Sequence, residues 1–180
     1  IEMARAFVQP KYQSAAGGRK ALFALDNLWD GIGGLIATDP TVKYLSGKVT
    51  IYSTSPEMSR KAMVYYLDMS FGDREGLITS KNPETCTPEQ IAFFKELFTG
   101  ADYKENYAIL NNYVKSLDDS IPPFIHLYIG LSPTMKTFGT TFDPDFGDCY
   151  DTAMIITTDD IYPDKYKRYV ESYEKCKVRK

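Results

Sequence analysis

The feature that most constrains the fold of this chain is its opening stretch, where three local patterns follow one another. Residues 1–8 combine apolar, aromatic and charged side chains in a way typical of a short strand. Residues 9–20 contain a proline, glycines and cations, and predict a loop. From Ala21 the apolar residues recur at helical spacing. A strand, a cationic loop and a helix start place free backbone N–H groups where they favour an anion.

Length and composition indicate one globular domain. The chain has 180 residues, 43% of them hydrophobic, and a net charge of -3, which is enough for a real core and unlike a disordered chain. Weak net acidity argues against sequence-independent nucleic-acid binding, which needs a basic face, so we expect no nucleic-acid partner, although this net charge still allows a local basic patch. No apolar run approaches the roughly 20 residues that span a bilayer. The three cysteines are widely spaced and the chain has a single histidine, which predicts reduced thiols in a cytoplasmic protein.

The rest of the chain alternates between strand and helix patterns. The expected elements are a strand after Gly47, helices over 57–69, 91–98, 103–117 and 124–131, strands over 135–141 and 152–158, and a charged helix over 164–180. Ser55 is expected to cap the first of these helices, and Thr87 the second, because each is followed by proline. His126 lies in the apolar segment FIHLYIGL, where a packed core position is expected.

Several blocks resemble one acyltransferase family, in the right order along the chain. They are Glu-x-x-Arg-x-Phe-Val at 2–8 followed by Tyr12-Gln13, LDNLWDGIGG at 25–34, GKVTIY at 47–52, and the segment 122–151. These blocks resemble the hemolysin-annotated branch of the GNAT acyltransferases. That branch comprises the ornithine-lipid and glycine-lipid N-acyltransferases, distant relatives of the acyl-homoserine-lactone synthases. The hemolysin label does not predict a pore, because nothing in the sequence resembles a membrane-spanning set of strands or helices.

The resemblance implies an α/β fold, a GNAT-like mixed sheet with flanking helices, splayed between the Glu2 strand and the Val49 strand. It implies that residues 1–180 form the C-terminal part of a single acyltransferase domain, with a helical insertion at about 84–118. Further strands would precede Glu2, so the N-terminal strands of the domain are expected to be missing and the chain to be part of a longer protein.

The function implied by the resemblance is N-acyl transfer in aminolipid synthesis. A fatty acyl group, 3-hydroxylated, would pass from acyl carrier protein to the amine of a small amino acid, glycine or ornithine. No tightly bound cofactor is expected, because the donor is acyl-phosphopantetheine, or acyl-CoA in the alternative of a GNAT acetyltransferase. A second alternative is a non-catalytic module that binds acyl carrier protein or a membrane. The protein would be cytoplasmic or peripheral to the inner membrane, and a homodimer completing its sheet by strand exchange is a further possibility.

Glu2 and Arg5 are the candidate catalytic residues. They are three positions apart, so on a strand they point to opposite faces, and a structural ion pair or an edge position would explain both. The resemblance places the matching pair beside the active site. Glu2 would then remove a proton from the attacking amine, directly or through water. Arg5 would hold an acceptor carboxylate or fix Glu2.

The loop after the first strand is the candidate donor-binding segment. The resemblance puts it in place of the GNAT pyrophosphate loop, whose pattern is Gln/Arg-x-x-Gly-x-Gly/Ala, but the spacing here is off by one. A single phosphodiester of acyl carrier protein would suit its cations better than a pyrophosphate. An ordinary surface loop remains the alternative. The residues concerned are Gln13, Gly17, Gly18, Arg19 and Lys20.

The segment FDPDFGDCYD holds four aspartates within residues 143–151. It lacks the terminal glutamate of a calcium loop, so no metal site is predicted. Its ordinary interpretation is a turn whose aspartates cap their own backbone. The resemblance makes it the hairpin that closes the acceptor site, with Asp148 and Asp151 as acceptor-binding residues.

The candidate acyl-chain pocket consists of apolar side chains from three segments. Phe7, Trp29 and Tyr52 are its principal members, and each could equally be plain core. No nucleophile motif is present, so direct transfer to the amine is expected rather than a covalent acyl-enzyme.

Overall fold

Four strands form one mixed sheet in the computed structural model, which describes residues 1–4, 8–10 and 24–173. The strands are β1 (Glu2–Met3), β2 (Tyr44–Tyr52), β3 (Lys136–Asp143) and β4 (Cys149–Thr157), in the spatial order β1-β2-β4-β3. β1 runs parallel to β2, whereas the β2–β4 and β4–β3 pairs are antiparallel. The predicted α/β fold with a mixed sheet and flanking helices is therefore confirmed.

Six α-helices accompany the sheet in the described part of the chain. They are α1 (Ala24–Thr38), α2 (Glu57–Phe71), α3 (Pro88–Leu97), α4 (Tyr103–Ser116), α5 (Pro123–Ile129) and α6 (Pro163–Tyr166). A π-helical turn, Lys167–Glu171, continues directly from α6. None of these helices is long and apolar enough to cross a membrane.

Two helix starts show how local chemistry sets the boundaries. The Thr87 hydroxyl accepts from the Gln90 N–H, and the Gln90 side chain accepts from the Thr87 N–H, which is the predicted cap in its reciprocal form. The predicted cap at Ser55 is wrong, because α2 begins one residue later than that position requires. Pro56 occupies its N-cap position, without a side-chain hydrogen bond.

The two faces of β2 differ in burial. Leu45, Val49 and Ile51 are fully or almost fully buried, whereas Tyr44 and Tyr52 are exposed. The buried residues belong to one core with side chains from the helices, and each contributes about 1.5–3 kcal/mol by leaving water. We call this the inner face of the sheet. The opposite side, which carries Lys48 and Thr50, is the outer face.

Helices α3 and α4 pack on α2 through aromatic side chains. The Tyr65 ring lies 5.3 Å from that of Phe94 and stacks on Phe98 at 5.9 Å between centroids. The Tyr66 hydroxyl donates to the Tyr103 carbonyl at 2.9 Å. The helices predicted within 84–118 are present, and their status as an insertion stays a prediction.

Helix α1 is attached to the π-helical turn by polar contacts and by a close backbone approach. The Tyr169 hydroxyl donates to the Asp26 carboxylate at 2.6 Å, and Arg168 forms an ion pair with the same carboxylate. About two turns further along, a Cβ at Gly33 would lie 2.8 Å from the Tyr169 Cβ. Two residues of the LDNLWDGIGG block therefore have a packing role in this structure.

Candidate functional site

The outer face of the sheet gathers two polar side chains around the carboxylate of Asp151. The register pairs Thr50 with Asp151 and Lys48 with Ala153. The Thr50 hydroxyl donates to Asp151 Oδ1 at 2.6 Å, and Lys48 Nζ donates to Asp151 Oδ2. The Asp151 side chain is only 11% exposed, while that of Lys48 is 48% exposed. A nearly buried carboxylate is thus held by a hydroxyl and a solvent-facing cation.

Lys48 keeps its proton in this arrangement. The hydrogen bond to Asp151 raises the pKa of the Lys48 ammonium above its ordinary value, against the smaller effect of burial, and Asp143 and Cys149 add to the rise. A lysine whose pKa is raised does not act as a base near neutral pH. Lys48 therefore stays positively charged near neutral pH.

The loop between β3 and β4 places an aromatic ring beside Lys48. It forms a 3-10 turn, Pro144–Phe146, in which the Asp143 carboxylate accepts from the Asp145 N–H at 3.1 Å. This confirms the ordinary interpretation of an aspartate capping its own backbone. The Phe146 ring, 61% exposed, has its centroid 4.5 Å from Lys48 Nζ, a cation–π contact. The loop therefore forms one wall beside the Lys48 ammonium.

The two predicted acceptor-binding aspartates differ in position. Asp148 is exposed in the turn and has a φ of 51°, a left-handed conformation that aspartate tolerates. Asp151 lies on the sheet, with its carboxylate at the centre of the polar cluster. Of the two, Asp151 is the one that lies in the polar cluster, and the acceptor-binding role of both stays a prediction.

Cys149 lies beside this carboxylate, with its Sγ 4.0 Å from Asp151 Oδ1. Burial raises the pKa of the Cys149 thiol, and the negative charges of Asp151 and Asp143 raise it further. Burial likewise raises the pKa of Cys86. A thiol that keeps its proton is a poor nucleophile, so these two cysteines are unsuited to hold an acyl group.

Glu2 shares the outer face with Asp151 but lies apart from it. The β1–β2 register sets Glu2 opposite Ser46, and the Ser46 N–H donates to the Ile1 carbonyl at 2.8 Å. Ser46 is four residues from Thr50 along β2, which is roughly 13 Å. Glu2 is exposed at the edge of the described sheet. Its role as a base stays a prediction.

Several predicted residues lie outside the part that the structure describes. These are Arg5, Phe7 and the donor loop with Gln13, Gly17, Gly18, Arg19 and Lys20. The predicted splay between the strands also depends on the segment after Met3. These assignments stay predictions.

The structure does not bring Trp29 and Tyr52 into one pocket. Trp29 is buried among the helices, in an edge-to-face contact with Tyr128 at 5.7 Å. Tyr52 is 65% exposed at the end of β2. Because successive side chains of a strand point to opposite faces, Tyr52 lies on the outer face when Ile51 is in the core. The prediction of a shared acyl-chain pocket for these two residues is corrected accordingly.

The prediction for His126 is also wrong. The residue is exposed, because α5 buries Ile125, Tyr128 and Ile129 instead. Its ring packs against Tyr107 at 5.7 Å between centroids. It borders a groove of about 330 Å³ that Tyr103, Tyr107 and Tyr162 also line.

Lys48 and Thr50 are the site residues that sequence reasoning missed. Their signal was present, since they alternate with Val49 and Ile51 in GKVTIY. The sequence could not predict that Asp151 is their common partner, because Lys48 and Asp151 are 103 residues apart in the chain. Within the described ranges, no group of three or more metal-ligating side chains could hold a metal ion.

Comparison with known proteins adds two relatives. The chain is 43% identical over 176 residues to a glycine N(alpha)-acyltransferase of Phocaeicola vulgatus, covering 97% of this chain and 53% of that protein. It is also 43% identical over 176 residues to a glycine N(alpha)-acyltransferase of Bacteroides thetaiotaomicron, covering 96% of this chain and 51% of that protein. The chain thus spans about half the length of the curated relatives it matches. No protein-family model and no solved structure matches it.

Proposed function

We propose that this chain belongs to the family of the glycine N(alpha)-acyltransferases, which it matches over about half of their length, and that it serves an N-acyltransferase. The acceptor is the amine of a small amino acid, glycine in the first place, with ornithine as the alternative. The observation that carries the proposal is the 43% identity over nearly the whole chain.

The donor in this proposal is a fatty acyl thioester of phosphopantetheine on acyl carrier protein. The cations Arg19 and Lys20 support it, because they suit one phosphodiester and an acidic carrier surface. The family resemblance of the same segment supports it as well. A carrier-bound donor places the reaction in the cytoplasm, with contact to the inner membrane where the aminolipid product is delivered.

The reaction is written as a direct transfer. The amine nitrogen attacks the thioester carbonyl, the new C–N bond forms, and the C–S bond breaks. An ammonium acceptor loses two protons on the way to the amide. One ends on the departing pantetheine sulfur, and the other leaves through a base to solvent.

The described residues have distinct places in this reaction. Asp151 offers a carboxylate to the ammonium of the acceptor, and Lys48 keeps its proton beside it. Glu2 is the base that the family resemblance implies, but its strand partner Ser46 is roughly 13 Å from Thr50 along β2, so it does not take a proton directly from an amine held at Asp151. Raised thiol pKa values at Cys149 and Cys86 support direct attack by the amine over an acyl-cysteine intermediate.

The test uses the full-length protein, acyl carrier protein charged with a 3-hydroxy fatty acid, and glycine or ornithine. Mass spectrometry should detect an N-acyl amino acid with one of the two acceptors. Retained carrier binding without product from any amino acid would instead identify a binding module. Product from acyl-CoA alone would identify a CoA-dependent transferase.

A further inference from the structure

We propose that Lys48 and Asp151 together bind the two charged ends of an α-amino acid acceptor, the carboxylate at Lys48 and the ammonium at Asp151. This inference rests on the proposed function and assigns Lys48 a role in it. It makes the site selective for an acceptor that carries both charges close together.

The first support is that a cation and an anion lie side by side on the outer face. In the free protein Lys48 and Asp151 form an ion pair. An α-amino acid carries the complementary pair, an ammonium and a carboxylate on one carbon. Because the Lys48 side chain is 48% exposed, it can move aside and exchange the Asp151 carboxylate for that of the ligand.

The second support is the hydrogen-bonding capacity that the pair leaves unused. An ammonium has three donors, and the described residues provide one acceptor for Lys48, the carboxylate of Asp151. A carboxylate has about four acceptor positions, and Asp151 uses two of them, for Thr50 and Lys48, with the Cys149 thiol at 4.0 Å. Both partners can therefore bind a further charged group.

The third support is the contrast with an adjacent polar pair of the same sheet. Thr140 and Thr152, one on β3 and one on β4, join their hydroxyls at 2.7 Å in a buried position. That neutral pair satisfies two polar groups without placing a charge out of water. Asp151 instead places a carboxylate that is only 11% exposed on this sheet, and its charge depends on the Lys48 ammonium and the Thr50 hydroxyl for compensation.

The fourth support is the space around the pair. Ala153 lies directly across from Lys48 in the register and is exposed. Its methyl group covers little of the face, while the exposed Phe146 ring bounds it on the side of the loop. The exposed Ala153 thus leaves the face beside Lys48 open to solvent, which is where the charged ends of a small amino acid would meet the pair.

The experiment compares glycine with glycinamide, which has the amine but no carboxylate. In the wild-type protein, glycine should show the lower KM. Lys48→Met should raise the KM for glycine about tenfold to a hundredfold, the range for losing a hydrogen bond to a charged group, and change that for glycinamide far less. Lys48→Arg keeps the charge and should retain most of the preference for glycine.

The matched control is Lys43→Met. Lys43 forms an exposed ion pair with Asp159 at 3.8 Å, outside the site, so this variant should leave both KM values unchanged. Thermal unfolding of each variant shows whether it is folded. If Lys48→Met raises the KM for glycine and for glycinamide equally, Lys48 has only a structural role and the inference is overturned.

Calorimetry with glycine alone separates this inference from the proposed function. Lys48-dependent binding of glycine, in a protein that transfers no acyl group, would support the subsite and contradict the transferase. Acyl transfer to glycine that is indifferent to Lys48 would support the transferase and overturn the subsite. A wild-type protein that neither binds nor acylates glycine or ornithine overturns both.

Discussion

Gly33 of α1 lies against the backbone of Tyr169 in the π-helical turn. A Cβ at this position would be 2.8 Å from the Tyr169 Cβ and closer still to its carbonyl group. The contact belongs to the same attachment as the hydrogen bond from the Tyr169 hydroxyl to Asp26. Only a residue without a side chain allows the helix and the turn to approach this closely.

Gly33→Ala should therefore destabilise the protein. The added methyl group must push backbone apart, which costs about 1–3 kcal/mol in a packed region. Gly31→Ala is the matched control, because nothing lies within 4 Å of a Cβ at Gly31 in the same helix. That change should stabilise by about 0.5–1 kcal/mol. Urea unfolding of the two variants measures both effects, and equal stability would contradict the packing described.

Tyr128 should make stability depend on pH in the alkaline range. Burial raises the pKa of the Tyr128 phenol to about 12, against about 10 in an unfolded chain. Between these values the folded protein keeps a proton that the unfolded chain has lost. The contribution of the Tyr128 phenol to the free energy of unfolding is therefore fully present below pH 10. It falls by about 1.4 kcal/mol per pH unit as pH rises from about 10 to about 12.

The measurement is urea unfolding at intervals from pH 9 to pH 11 for the wild type and for Tyr128→Phe. The variant should show a shallower fall of the free energy of unfolding above pH 10. Tyr44→Phe is the control, because solvent already reaches the exposed Tyr44 ring. An unchanged slope in Tyr128→Phe would contradict the burial of this phenol.

Cys149→Ser should retain acyl transfer. The Cys149 thiol is buried and its pKa is raised, so in this account it packs beside Asp151 without forming a bond to the acyl group. The rate should stay within a few-fold of wild type, less than the change expected for losing a nucleophile. Single-turnover assays would show this, and an acyl group trapped on Cys149 in a mass spectrum would contradict direct transfer.

Glu2→Gln distinguishes a catalytic carboxylate from a structural one. If Glu2 accepts the proton of the amine, the rate should fall about a hundredfold or more. Binding of acyl carrier protein should change far less. Equal losses in rate and in carrier binding would point to a structural Glu2 on the β1 edge.

Local patterns predicted much of the fold. The capping box joins Thr87 to Gln90, only three positions later, so the local sequence was enough to predict this helix start. The alternation of GKVTIY likewise gave the strand and the face of Lys48. At His126 the local pattern gave a wrong prediction. Helix α5 buries Ile125, Tyr128 and Ile129, while the His126 side chain is exposed to solvent.

The site itself depends on contacts that no local pattern contains. Thr50 meets Asp151 because β2 and β4 are neighbours in a particular register. A register shifted by one residue would turn Asp151 to the core face and separate it from Lys48. Tyr52 is separated from Trp29 because side chains alternate between the two faces of β2. Predicting this separation required knowing which face of β2 packs on the core.

The measurement that tests the central claim most directly is formation of N-acyl glycine by the wild type and by Asp151→Asn. Acyl carrier protein charged with a 3-hydroxy fatty acid is the donor, and Asp145→Asn, in the exposed turn, is the control. The account predicts product from the wild type and from Asp145→Asn, and a loss of about a hundredfold in kcat/KM for Asp151→Asn. Full activity in a folded Asp151→Asn variant would contradict it.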